Sequence, residues 1–168
     1  GVEEFTAIET DLGLKRDKYF YTVSSLAFNK NLKTLVRLMA ALKNDPRFEE
    51  YKLVVSGVGL NNSFFAGAQK ELFDFINAQG IADRILFTGF VSNERRNSLI
   101  INSSFFLFAS IFEGFGMPII EAMEFGSRVI TTKCASLYEV SEGKAIYVED
   151  PYNVDMWVNA INDNINAP

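Results

Sequence analysis

The chain of 168 residues is the length of one ordinary domain, and its 48% hydrophobic content supplies a core, which excludes intrinsic disorder. A net charge of −5 disfavours a non-specific nucleic-acid binder, which needs a basic face to neutralise phosphates. The absence of histidine removes Ser-His and Cys-His nucleophile systems, histidine metal sites and a histidine general base.

Sixteen phenylalanines make the core unusually aromatic. The single cysteine, Cys134, forms no internal disulfide and reads as a small buried or half-buried side chain, so a reducing, cytoplasmic setting is expected. The most apolar run, Phe105 to Phe112, is interrupted by Ser110 and falls far short of the roughly 20 residues of a membrane span. Any contact with the inner face of a membrane is expected to come through a part of the protein outside this sequence.

In chain order, residues 1–18 are polar and poorly periodic and read as an interdomain linker or lead-in, leaving 19–168 as the domain proper. Tyr19 to Val23 is β-rich and apolar. Leu32, Leu35, Val36, Leu38, Met39 and Leu42 follow at helical spacing, closed by Asp45-Pro46. Tyr51 to Ser56 is the next predicted strand. Residues 63–79 place Phe64, Phe65, Ala68, Leu72, Phe75 and Ile76 on one helical stripe, with Gly80 as the stop. Residues 85–88 predict a strand, and Ser92 is suited to cap a helix running through Asn102. Residues 105–109 predict a strand, and 118–125 a helix with proline in its first turn, ended by Gly126. Residues 128–132 and 145–148 are further strands, and Asn153 is suited to cap a final amphipathic helix holding Met156, Trp157, Ala160, Ile161 and Ile165.

Strands alternating with helices predict an α/β fold, a doubly wound, Rossmann-like parallel sheet of about six strands with helices on both faces. Ligands of such folds bind beyond the carboxyl ends of the strands. Three segments there carry polar chemistry. Lys30 stands just before a helix, where the helix dipole prefers negative charge; it suits an anion bound between ammonium and helix, or it is simply a solvated loop lysine. Gly57-Val58-Gly59 allows close backbone approach or is a plain tight turn, and Asn62 breaks the full dinucleotide fingerprint. The run from Phe112 to Met123 is the most informative. Its glycines expose main-chain N–H groups beside a helix start, and Glu113 and Glu121 are two carboxylates suited to polyol hydroxyls, or else a cap and a surface glutamate. Lys133 lies in another polar loop, while Glu139 and Glu142 read as capping or solvating a short helix.

Glu113-Gly-Phe-Gly-Met-Pro-Ile-Ile-Glu121-Ala-Met resembles the E-x7-E motif of retaining glycosyltransferase family 4 and its group 1 relatives. Asn29-Lys30-Asn31-Leu32, Ser56-Gly57-Val58-Gly59, Phe87-Thr88-Gly89-Phe90-Val91, Gly126-Ser127-Arg128-Val129-Ile130 and Leu137-Tyr138-Glu139-Val140 resemble further steps of that family. Gly1-Val2 resembles the point where the family's chain passes from its N-terminal acceptor domain into its donor-binding domain, so the acceptor domain is expected to lie outside this sequence.

The resemblance implies one half of a GT-B fold and a nucleotide-diphospho-sugar donor. It makes Lys30 and Glu113 the catalytic residues, with Lys30 on the diphosphate. Glu113, Gly114, Phe115 and Gly116, with Met117 in the same loop, would hold the sugar, and Glu121 the ribose. Phe90 and Val91 would lie along the base, and Ser24, Ser25 and Gly57 would complete the donor site. No metal or other cofactor is implied. In one respect the chain departs from the family. Ser24 and Ser25 stand where a Gly-Arg step often supplies a second diphosphate contact, so either the donor binds more weakly or Arg95, Arg96 or Lys133 helps. The alternatives are a non-catalytic nucleotide-sugar-binding module, an epimerase, disfavoured by the missing histidine, and an NAD protein, disfavoured by the broken fingerprint. The nucleotide, the sugar and the acceptor are not legible.

Overall fold

Residues 19–23, 52–56, 85–89, 105–108, 129–132 and 146–148 form strands β1 to β6 of one sheet in the computed structural model, which describes residues 2–60 and 63–167. The helices are α1 (Val2–Leu12), α2 (Leu32–Leu42), α3 (Ala66–Ala78), α4 (Asn93–Asn102), α5 (Met117–Glu124), α6 (Ala135–Val140) and α7 (Val154–Asn164). The strand order is β3-β2-β1-β4-β5-β6 and every pairing is parallel. The chain therefore winds outward in one direction from β1, returns, and winds outward in the other from β4. The crevice between β1 and β4 is the topological switch point, where this class of sheet binds ligands. Gly1 and Asn62, on which two sequence readings rest, lie outside the described residues.

Alternation along each strand builds two cores. On β1, Phe20 faces one side while Tyr19 and Tyr21 face the other; on β4, Phe105 and Leu107 are divided in the same way from Phe106 and Phe108. The Phe20 side is closed by α2, α3 and α7, with Leu35, Leu38, Met39, Leu72, Trp157 and Ile161. The phenylalanines concentrate here: Phe20 lies 5.1 Å from Tyr51 and 6.3 Å from Phe105 between ring centroids. The Tyr19 side is closed by α1, α4 and α5 through Phe5, Ile8, Leu99 and Ile119. Both faces being covered explains why β1 and β4 read as continuous apolar runs.

The predicted caps form. Ser92 accepts from the Arg95 amide at 3.2 Å and Asn153 from the Met156 amide at 3.2 Å. Gly80 ends α3 with φ +67°.

Two expectations are corrected. The segment read as a linker is helix α1, with Phe5 and Ile8 fully buried and Phe5 stacked on Tyr19 at 6.5 Å. Its apolar stripe is short and flanked by glutamate and threonine, so local pattern alone does not show it; packing against α4 supplies what intrinsic propensity lacks. Residues 63–65 form a 3₁₀ turn rather than the start of α3, and Phe64 is exposed instead of joining the helical stripe.

Candidate functional site

The loop after β1 passes through a 3₁₀ turn, Phe28–Lys30, and enters α2 at Asn31, whose φ of 55° is left-handed. Asparagine tolerates that conformation better than most side chains. Its amide also acts as a brace: Nδ2 donates to the Ala109 carbonyl at 3.1 Å and the Pro151 carbonyl at 3.0 Å, while Oδ1 accepts from Thr34 Oγ1 at 2.7 Å. Next to it, Asn29 Nδ2 donates to the Phe112 carbonyl and the Ile111 amide donates to the Asn29 carbonyl. These bonds stitch the loop after β1 to the loop after β4.

The stitching presents Lys30 to Glu113. Lys30 Nζ lies 2.5 Å from Glu113 Oε1, with side chains 24% and 13% exposed. Ser110 Oγ donates to the same oxygen at 2.8 Å, and Ser136 Oγ donates to the Glu113 carbonyl at 2.7 Å. The ammonium also sits 5.6 Å from the centre of the Phe108 ring. Among the described residues none pairs with Glu113 Oε2. Lysine and carboxylate thus form a charged, half-buried centre with one acceptor oxygen still open.

Beside it lies a cleft of about 350 Å³, lined by Ser24, Ser25, Lys30, Gly57, Phe90, Val91 and Arg96 among others. The glycine at its base is sterically required. Gly57 has φ +91°, and a Cβ there would stand 2.7 Å from the Ser24 carbonyl oxygen. The Gly57 amide donates to the Gly89 carbonyl and the Ser24 amide to the Ser56 carbonyl, both at 2.9 Å, so three strand ends are tied at one level. Phe90 is 81% exposed over this cleft.

Gly116 is also a packing glycine. At φ +79° its Cβ would meet Leu137 Cδ2 at 2.8 Å, where α5 approaches α6. Gly114 has open space around it, and Phe115 and Met117 project into solvent. Among the described residues nothing accepts from the amides of Gly114, Phe115 or Gly116. These donors stand just before the N-terminus of α5, an arrangement that receives anionic or hydroxyl oxygens.

Of the residues singled out in the sequence, Ser24, Ser25, Lys30, Gly57, Phe90 and Val91 therefore line one cleft, and Glu113 joins it through Lys30. Gly114, Phe115, Gly116 and Met117 are outside its lining. Glu121 does not meet the Lys30–Glu113 centre but pairs with Arg96, Nη2 to Oε2 at 3.3 Å. Of the three supplementary cations, Arg95 is turned to Asp11 at 3.2 Å and Lys133 to Glu149 at 2.8 Å, leaving Arg96 in the cleft. Ser110 and Ser136, which hold Glu113, carry no motif of their own and were not singled out. Tyr21, on β1, is buried; burial pushes its phenol up to about 12, with Ser56 and Arg96 pulling the other way. No hydrogen bond of acceptable geometry reaches Ser56, whose Oγ is shared with Thr88 Oγ1 at 2.6 Å.

No helix among the described residues is long and apolar enough to cross a membrane.

Known proteins resemble the chain throughout its length. A curated relative from Campylobacter jejuni, N-acetylgalactosamine-N,N'-diacetylbacillosaminyl-diphospho-undecaprenol 4-alpha-N-acetylgalactosaminyltransferase, is 33% identical over 122 residues, covering 73% of this chain and 29% of that protein. The O-antigen chain mannosyltransferase B of Escherichia coli is 30% identical over 138 residues, covering 82% of this chain and 34% of the relative. The chain thus spans about a third of the length of the curated relatives it matches. Among solved structures, Anabaena HepE in complex with UDP and glucose superimposes with a TM-score of 0.83 over 99% of this chain and 44% of that one, at 22% identity. The family described as "Glycosyl transferases group 1" matches residues 4–168, and on that match the chain belongs to this family.

Proposed function

We propose that the chain is the donor-binding half of a retaining glycosyltransferase, which takes a sugar from a nucleotide-diphospho-sugar. The acceptor would be held by a domain outside this sequence. The observation that carries this reading is the Lys30–Glu113 pair at the switch point, with the unpaired amides of Gly114 to Gly116 beside it. A sugar diphosphate needs both kinds of group, since its hydroxyls require acceptors while its leaving diphosphate requires positive charge and N–H donors.

In this reading Lys30 leaves Glu113 for the diphosphate as negative charge grows on the leaving group. Glu113, still held by Ser110 and Ser136, accepts from a sugar hydroxyl and orients the anomeric carbon. Glu121 holds the ribose, and exposed Phe90 with Val91 flanks the base. The positive charge comes from side chains and a helix N-terminus, so no metal is called upon. Closure against the acceptor domain excludes water, and retention at the anomeric carbon is the expected stereochemistry. The relatives' names, one acting on a diphospho-undecaprenol-linked glycan and one on an O-antigen chain, support a glycan or glycolipid acceptor presented at a membrane face.

Calorimetric titration with UDP, GDP, ADP and their sugars tests the reading, with Glu121→Ala as control. Saturable binding of one nucleotide class, lost in the control, is the expected result. A folded chain that binds none of them, alone or within its full-length protein, overturns it. Ser24 and Ser25 support a second reading, a module that binds the donor without turnover. Joined to its acceptor domain, such a module would bind the nucleotide sugar and transfer nothing.

A further inference from the structure

Arg96 occupies an unexpected place. It lies on α4 three and four residues before Leu99 and Ile100, both of which are buried, so it shares their inward-facing stripe. A charged side chain there costs desolvation and adds little to packing. Its side chain is 28% exposed, and its Nε atom is buried without a partner among the described residues. A guanidinium carries five N–H donors, and the ion pair that Arg96 makes is the 3.3 Å contact to Glu121. A part-exposed pair at that distance is weak and readily exchanged.

The charge count of the cleft gives this surplus a use. The cations lining it are Lys30 and Arg96, and each faces one carboxylate, Glu113 and Glu121. These four side chains are therefore neutral by pairs. A diphosphate ester brings roughly two negative charges, and Lys30 alone meets one. Ser25, across the same cleft, offers no charge.

Building on the donor-binding reading above, we infer that Arg96 is the second cationic contact of the donor diphosphate and gives up Glu121 to the ribose when the donor enters. Both ion pairs then exchange together: each cation passes to phosphate oxygens and each carboxylate to hydroxyls. The planar guanidinium suits paired phosphate oxygens better than an ammonium does.

The test compares UDP and GDP with uridine and guanosine by calorimetry, on the unmodified protein, Arg96→Gln, Arg96→Lys, and Arg96→Gln combined with Ser25→Arg. Thermal melts establish that each variant is folded. Arg96→Gln should weaken the diphosphate about tenfold or more while leaving the nucleoside within about twofold (tenfold being ~1.4 kcal/mol). Its diphosphate binding should also become less salt-dependent. Arg96→Lys should recover part of the loss, and a cation restored from position 25 should recover most of it. Equal weakening of nucleoside and diphosphate would mean that Arg96 acts only by holding Glu121, and the inference fails. It fails as well if Arg96→Gln binds the diphosphate normally. If the unmodified protein binds none of UDP, GDP and ADP, alone or within its full-length protein, the donor-binding reading itself falls.

Discussion

Lys30 and Glu113 stand 83 positions apart and meet at 2.5 Å across the switch point of the sheet. The bond rests on neighbours rather than on the two side chains alone. Asn29 and Asn31 tie the lysine's turn to the β4 loop, while Ser110 and Ser136 grip the glutamate by its carboxylate and its carbonyl. Such support keeps a centre preorganised, because little remains to be ordered when a ligand arrives.

Replacing Lys30 with alanine should separate function from stability. The pair is partly exposed, so the melting temperature should reflect a loss of about 1 kcal/mol or less. Turnover of the full-length protein should fall by well over tenfold, about 1.4 kcal/mol or more in the barrier. Steady-state kinetics alongside a thermal melt measures both, and turnover within tenfold of the parent would remove Lys30 from the leaving-group role.

Two glycines in the site should respond oppositely to alanine. At Gly57 the new Cβ meets the Ser24 carbonyl at 2.7 Å with φ at +91°, and the strained backbone should cost roughly 1–3 kcal/mol. At Gly114 nothing lies within 4 Å, so stability should change by less than about 1 kcal/mol while donor affinity falls, because the methyl intrudes where the ligand approaches. Denaturant unfolding and calorimetry on the two variants would expose a reversed order.

Asn31 should matter for stability out of proportion to its size. Asn31→Ala removes two bonds to carbonyls that tie α2 to β4 and to the loop before α7, and places a Cβ residue of poor tolerance at φ 55°. The expected cost is about 2–3 kcal/mol. Asn31→Gly, which relieves the dihedral but not the lost bonds, should fall between parent and alanine in urea unfolding.

Tyr21 gives the chain an alkaline limit. Its folded phenol is raised from the ordinary 10.0 to about 12 by burial, so the folded state holds the proton more tightly than the unfolded chain. Its contribution is complete below pH 10 and is lost as pH rises through about 12. Tyr19, raised in the same direction by burial, adds to the effect. Stability measured by denaturant at successive alkaline pH values should fall above pH 10, less steeply in Tyr21→Phe. A Tyr21→Phe variant with the parent's slope would contradict this account.

The sheet was legible because its strands are short apolar runs between glycine and capping signals, as at Ser92 and Asn153. The cleft was legible because the fold dictates that chemistry sits after strands, which brought Ser24, Lys30, Gly57 and Phe90 into view. Pairing was not legible. Nothing in the spacing says that Glu121 answers to Arg96 while Glu113 answers to Lys30, since those contacts depend on how α4 and α5 settle on the sheet. Ser110 and Ser136 are short polar side chains without a pattern, and only the folded backbone aims them. Helix α1 is not legible because Val2, Phe5, Ala7, Ile8 and Leu12, interspersed with acidic residues and threonines, do not announce a helix without the surface it covers.

That helix changes where the independently stable unit starts. Trimming the chain to its first strand would strip Phe5 and Ile8 from the flank of α4 and Tyr19, a loss of roughly 3–6 kcal/mol of apolar burial. Against a total of about 5–15 kcal/mol for an ordinary domain, the remainder would be only marginally folded. A protease cut just before residue 19 would therefore be ruinous, although the polar sequence on its N-terminal side reads as a place to cut.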